Sequence, residues 1–258
     1  MQKAKTKTMK KFTYIAATFA LIILAAVVLR AVFKTVTPAG NNASATALEP
    51  SLPAISEQNP GAMITLPQPT TDGSMSLEKT MSLRRSVRSY IKQPLTIEEL
   101  SQLLWAGQGI NNERGFRTAP SAGATFPLEL FVMVNNVEGL KKGIYHYQIG
   151  EHALKMTDAR ELEGEVTRAS LSQSMISEAG VVIVFAAIFD RTTSRYGERG
   201  IRYIHNEVGH ASQNIHLQVS ALNLGTVVIG AYRDEEVEAI LDLGEEFRVL
   251  YMMPIGKI

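Results

Sequence analysis

With 258 residues, 45% of them apolar and 20% charged, the chain has the length and composition of a globular protein with one or two domains. A formal net charge of +1 gives no basis for nucleic-acid binding. No cysteine is present, which excludes disulfides, thiol nucleophiles and iron–sulfur clusters and suits an oxidising compartment without requiring one.

Residues 1–11 form a basic tail carrying Lys3, Lys5, Lys7, Lys10 and Lys11. An uncharged run from Phe12 to Leu29 follows, and residues 12–33 match the roughly 20 residues that span a bilayer as a helix. The positive-inside rule keeps the lysines cytoplasmic and sends the rest across. The expectation is a single-pass signal-anchor with the C-terminal domain outside the cytoplasm. The alternative is a cleaved signal peptide and an exported form. Against it, the apolar run exceeds the ~7–15 residues usual for a secretory signal. Arg30, Phe33 and Lys34 make a poor cleavage site, and Ala43-Ser44-Ala45 lies far downstream.

Residues 34–74 read as a linker. Pro38, Pro50, Pro53, Pro60, Pro67 and Pro69 fall within it, and no periodic apolar face does, so it is expected to be a semi-extended tether. From residue 75 the pattern is globular. A short helix is predicted over 75–83, capped by Ser74 or Ser76. The chain then gives way to a strand at Ser89-Tyr90. A second helix starts at Thr96, with Glu98 and Glu99 in its first turn and Leu100, Leu103 and Leu104 facing inward, and ends near Gly107 and Gly109. Strands are predicted at 128–134 and, as a hairpin, at 143–147 and 152–156, with a helix over 161–169 and a fully buried strand at 180–189. The longest element is a helix over 200–223, with Ile201, Ile204, Val208, Ala211, Ile215, Val219 and Leu222 at helical spacing and Gly225 after its end. A strand at 226–229, a helix at 234–241 and a final strand at 247–253 complete the series. Strands and helices interleave irregularly, which predicts an α+β fold.

Several segments suggest chemistry. Arg84-Arg85-Ser86-Val87-Arg88 puts three guanidiniums and a hydroxyl in five residues, and guanidinium forks suit phosphate; a solvated basic helix end is the simpler alternative. Thr118 to Ala124 is a small-residue loop that lets backbone amides approach a ligand, or is an ordinary tight loop. Leu224-Gly225-Thr226 and Ile229-Gly230-Ala231-Tyr232 bracket a short apolar strand whose N–H groups could meet a flat ring. His205-x-Glu207-x-x-His210 fails as a zinc motif, because histidines five apart leave one helical face. His205, Glu207, His210, Gln213 and Asn214 instead read as a polar stripe, buried at an interface or near a cofactor.

Taken in order, RRSVRSY at 84–90, TAPSAGATFPLELFVMV at 118–134, GIYHY at 143–147, RYGERGIRYIHNEVGHASQNI at 195–215, LGTVVIGAY at 224–232 and MPIG at 253–256 resemble the nitroreductase family of FMN enzymes over 75–258. Within it the chain looks most like the SagB-type dehydrogenases, the thiazole/oxazole-forming oxidase branch. The resemblance implies a mixed sheet flanked by helices and a homodimer with FMN at the subunit interface, 200–223 being the central dimer helix. It implies that Arg84, Ser86 and Arg88, with Arg85 adjacent, grip the FMN phosphate and ribityl chain. Pro120, Ser121 and Ala122 then approach the flavin from the partner subunit. Gly225 precedes the strand that leads to Gly230 and Ala231, whose backbone faces flavin N5. Lys257 matches a further basic phosphate contact. The flavin carries the hydride chemistry, in a ping-pong cycle.

The pattern departs at two positions: Ile201 replaces the usual aromatic residue, and the departure at Arg195 bears on the chemistry. SagB-type dehydrogenases carry Lys-Tyr where this chain has Arg195-Tyr196, and arginine effectively cannot lose its proton to act as a base. Tyr196 remains the residue for proton transfer beside Arg195. The expected function is therefore a membrane-anchored FMN oxidoreductase acting on a small molecule or peptide, its electron donor membrane-linked. A tethered, non-catalytic flavin- or partner-binding module is the alternative.

Overall fold

The computed structural model describes residues 52–258. The basic tail, the expected membrane span at 12–33 and the first part of the linker lie outside the described residues. Among the described residues no helix is long and apolar enough to cross a membrane. In chain order the elements are β1 (Met63–Thr65), α1 (Leu77–Leu83), α2 (Ile97–Gln108), β2 (Leu128–Val134), β3 (Gly143–Gln148), β4 (Ala153–Asp158), α3 (Glu163–Ala169), α4 (Met175–Glu178), β5 (Val181–Ala187), α5 (Asp190–Tyr196), α6 (Arg199–Ala221), β6 (Leu224–Thr226), α7 (Asp234–Leu241) and β7 (Arg248–Lys257).

One sheet runs β1-β4-β3-β2-β5-β7-β6. Its pairings between named strands are antiparallel, and an isolated parallel bridge joins Leu95 to Val137. All of β5 is buried. Side chains alternate along a strand, so Val181, Ile183 and Phe185 enter one core and Val182, Val184 and Ala186 the other. A strand apolar on both sides needs cover on both faces. α2 and α6 cover the first through Leu100, Leu103, Leu104, Ile204, Val208 and Ile215. α3, α4 and α7 cover the second through Val166, Ile176, Val237 and Leu241. Each fully buried leucine or isoleucine contributes about 1.5–3 kcal/mol.

Local sequence sets the ends of these elements. Thr96 caps α2 in a reciprocal box: its Oγ1 accepts from Glu99 N at 3.2 Å, and Glu99 Oε2 accepts from Thr96 N at 2.9 Å. Of the two serines expected to cap the first helix, Ser76 does so, accepting from Lys79 N at 3.2 Å. Gly107 lets α2 cross α6 closely, since a Cβ there would lie 2.9 Å from Ile215 Cδ1.

Four expectations change. The second half of the 34–74 linker is not a free tether: β1 pairs Met63 with Lys155 and Thr65 with Ala153, and Ile64 and Leu66 are fully buried. Three residues bracketed by Pro60 and Pro67 are too few to show a period, and an edge strand tolerates flanking prolines. Ser89-Tyr90 is not a strand; Ile91 alone makes an isolated bridge, to Lys257. The strand expected at 226–229 lies instead at Leu224–Thr226, opposite Lys257–Ile255, with Ile229 in a separate bridge to Met252. Finally, a helix not expected from the sequence, α5, fills the stretch between β5 and α6 and breaks from α6 at Gly197, whose φ of 57° ends it.

Candidate functional site

The arginine segment leaves α1 and runs along the β6 edge of the sheet. Val87 N donates to Thr226 O at 2.8 Å and Ile91 N to Lys257 O at 3.0 Å. Tyr90 locks the turn, its hydroxyl lying 3.1 Å from Val87 O and 3.0 Å from Pro254 O. Burial pushes the Tyr90 phenol far above its ordinary range, so it stays a neutral donor. Val87 packs on Gly225, where a Cβ would come within 2.8 Å of Val87 Cγ1. With Val87 turned inward, its neighbours Ser86 and Arg88 face outward.

Arg84 is half-buried, and Arg85, Ser86 and Arg88 are exposed. Among the described residues none of the three guanidiniums pairs with a carboxylate. Arg85 Nη1 donates back to Ser82 O at 3.1 Å and Arg84 O at 2.8 Å. The Ser86 and Arg88 N–H groups make no hydrogen bond among the described residues. Lys257 differs: its Nζ is 2.5 Å from Glu99 Oε1, and both side chains are mostly buried, so its charge already has a partner. Beneath the loop on α6 sits His216, which the sequence reading did not single out. It is 6% exposed and its Nδ1 has no partner. Burial, then the Arg84 charge, push its imidazole down to about 4, leaving it neutral.

Gly230 and Ala231 lie further along the same edge, in an exposed turn. Ile229 N donates to Met252 O at 2.8 Å, and Ala231 O accepts from Gln173 Nε2 at 2.8 Å. The Gly230 N–H makes no hydrogen bond among the described residues.

The other expected residues gather elsewhere, at the N-terminal half of α6. Pro120 is exposed; Ser121 and Ala122 are half-buried. Ser121 Oγ accepts from Phe126 N at 2.9 Å. Gly123 takes φ +60°, and a Cβ there would strike the Tyr196 hydroxyl. Arg195 Nη1 donates to Gly123 O at 3.0 Å. Tyr196 stacks edge-on against Tyr203 at 5.2 Å. Arg195 and Tyr196 thus sit on the loop that holds Ser121 and Ala122.

Of the expected polar stripe, only Glu207 is buried; His205, His210 and Gln213 are exposed, and half-buried Asn214 donates to Thr118 O at 3.2 Å. Glu207 and His216 are nine positions apart, ~13.5 Å along the helix axis, which separates the two groups of site residues within one chain. The stripe signalled Glu207; nothing in the local pattern signalled His216.

The domain is α+β, and on the rim of its antiparallel sheet three guanidiniums lack a carboxylate partner among the described residues. The nitroreductase family model matches residues 82–257. MJ1384 of Methanocaldococcus jannaschii, named as a nitroreductase, is 45% identical over 183 residues, covering 71% of this chain and 91% of that protein. A crystal structure of a nitroreductase-family protein from Ralstonia eutropha superposes with a TM-score of 0.68 at 28% identity, covering 80% of this chain and 93% of that one. The microcin B17-processing protein McbC of Escherichia coli is 27% identical over 140 residues, 50% of this chain and 49% of its own. The chain belongs to the nitroreductase family. Its relatives include the microcin- and trifolitoxin-processing proteins of the SagB-type branch.

Proposed function

We propose that this chain is an FMN-dependent oxidoreductase, dimeric and anchored to the membrane by residues 12–33, with its folded domain outside the cytoplasm. The observation that carries the cofactor is the loop at 84–88: among the described residues its three guanidiniums have no carboxylate partner and two backbone N–H groups make no hydrogen bond, on an edge where the Gly230 N–H makes none either. This donor set fits a phosphorylated flavin. Arginine forks bind phosphate bidentately, and members of the family are generally flavin oxidoreductases.

Arg84, Ser86 and Arg88 hold the phosphate and ribityl chain, with Arg85 adding charge at the rim. Gly225 lets Val87, and with it the arginine loop, dock closely on β6, and the Gly230–Ala231 backbone would meet the ring. Lys257, tied to Glu99, contributes by fixing the β7 end beneath the loop rather than as a free cation. Pro120, Ser121 and Ala122 reach the site from the partner subunit, which accounts for their distance from the arginine loop within one chain. Bound FMN supplies hydride transfer at N5. Tyr196 would serve proton transfer, while Arg195 holds the loop through Gly123. Two substrates serve the half-reactions in turn. A peptide is one candidate substrate class, McbC being named for the processing of microcin B17; a small molecule is the other, and a membrane-linked reductant is the electron donor.

The test is to load the purified full-length chain with FMN in detergent and reduce it anaerobically. Stoichiometric flavin bands that bleach, and return with an added acceptor, are expected. A chain that cannot be loaded, or turnover driven efficiently by NADPH alone, removes the cofactor or the donor assignment respectively.

A further inference from the structure

The loop that carries Ser121 and Ala122 takes a path that side chains resist. Gly123, Ala124 and Phe126 have φ of 60°, 54° and 46°. Left-handed backbone suits glycine, but a Cβ opposes it, and a bulky residue there is an outlier. Such a conformation persists only where its surroundings hold it, and it clusters at functional sites. One support is Arg117, whose guanidinium lies 4.8 Å over the Phe126 ring. The others come from α5.

Three side chains of α5 reach the loop. Arg195 Nη1 donates to Gly123 O at 3.0 Å. One helical turn earlier, Arg191 Nη1 donates to Phe126 O at 2.9 Å. Between them, Thr192 is 1% exposed, and its Oγ1 lies 2.8 Å from Thr125 Oγ1. Thr125 Oγ1 donates to Ala122 O at 3.0 Å. A hydroxyl has one proton to give, so Thr192 is the donor to Thr125. A relay of two hydroxyls thus joins α5 to Ala122. Arg191 is aimed from β2: its Nη1 is 2.5 Å from Glu129 Oε1, and Glu129 Oε2 is 3.0 Å from His146 Nε2 on β3. Behind α5, Gly200 lets the helix seat on α6, since a Cβ there would lie 3.1 Å from the Thr192 carbonyl.

We propose that α5 is a clamp: Thr192 and Arg191 are positioning residues that hold residues 121–126 in their left-handed path and so present Ser121 and Ala122 to the flavin. The clamp stands on the hydrogen bonds alone. Its bearing on the flavin rests on the assignment of residues 120–122 to the cofactor site. A ligand that needs the seated loop binds more weakly in proportion as the seated fraction falls, so loosening the clamp lowers cofactor affinity without touching a cofactor contact.

The test follows hydrogen exchange of the Ala124, Thr125 and Phe126 amides, each bonded within the loop, in the flavin-free full-length chain in detergent. Thr192→Val keeps the side-chain volume and removes the donor; Thr192→Ser keeps the donor. Protection of the three amides should fall about 3- to 10-fold in Thr192→Val and at least as far in Arg191→Ala. It should stay near wild type in Thr192→Ser, and the β5 and α6 amides should not change in any variant. Unchanged loop exchange in Thr192→Val or Arg191→Ala removes that residue from the clamp. Equal losses in Thr192→Ser and Thr192→Val, or losses shared by β5 and α6, overturn the proposal, because packing would then account for the contacts. FMN affinity, measured by fluorescence quenching, should weaken about threefold or more in Thr192→Val and Arg191→Ala and recover in Thr192→Ser. Wild-type affinity in a variant with a loosened loop refutes the presentation of Ser121 and Ala122 to the flavin. A wild-type chain that binds no FMN refutes the cofactor assignment, while the exchange profiles still decide the clamp.

Discussion

Arg195 donates to the carbonyl of Gly123 at 3.0 Å, joining the end of α5 to the loop that carries Ser121. The contact depends on Gly123 adopting φ +60° with nothing beyond its Cα, because Tyr196 occupies the space a Cβ would need. Gly123→Ala should destabilise the domain by about 1–3 kcal/mol, through left-handed strain and displacement of Tyr196. Urea unfolding reads this directly. Unchanged stability would show that Tyr196 does not rest on the loop.

Arg88 faces outward from a loop that Val87 ties to Thr226. Arg88→Ala removes a charge-assisted contact without disturbing that tie. FMN affinity should drop by about 1.5–3 kcal/mol, roughly 10- to 150-fold, with little change in melting temperature. Fluorescence titration of the flavin checks the first and thermal unfolding the second.

Residues 63–66 belong to the fold. Ile64 is fully buried in the core shared by α2 and α6. Ile64→Ala should cost about 2–5 kcal/mol. A chain starting at residue 75 should be markedly less stable than one starting at 52, since it lacks β1 and exposes β4 as a bare edge. Denaturant midpoints of the two truncations settle the domain boundary; equal midpoints would return 52–74 to the linker.

His216 and Glu207 give the pH profile opposing slopes. The folded-state His216 pKa is depressed, from 6.5 to about 4. Its contribution is whole above 6.5 and is lost as pH falls toward 4. Glu207 is raised, from 4.5 to about 7, so its contribution is whole below 4.5 and is lost as pH rises through 7. His216→Gln should flatten the acid side of the stability curve and leave the neutral side unchanged. An acid limb as steep as that of wild type would mean that other groups carry it.

Much of the fold was legible because its elements are long and its patterns clean. The β5 run is apolar on both faces, and the α2 and α6 stripes keep helical spacing over three or more turns. β1 was hidden by its length and by its prolines, and β6 shifted because a three-residue strand takes its register from β7 rather than from its own residues. At the site, the arginine loop announced itself by composition. Glu207 was visible only as one polar residue among five, and its burial depends on where the 117–126 loop folds back. His216 had no local signature, because its isolation and its nearness to Arg84 arise from contact between segments more than a hundred residues apart.

The sheet order also fixes a schedule for folding. β7 lies between β5 and β6, and the arginine loop docks on the strands formed by residues 224–226 and 248–257. During synthesis β1 to β5 can zip together through neighbouring antiparallel pairs, but β5 keeps an unpaired apolar edge until Arg248–Lys257 has been made. The arginine loop, produced at least 160 residues earlier (248 − 88), has no complete rim to bind until then. Contacts of such long range are slow to close, and an uncovered strand edge invites association meanwhile. The nascent domain is therefore most exposed to misassembly just before completion, and its capacity for ligand comes with the same strand that ends the hazard.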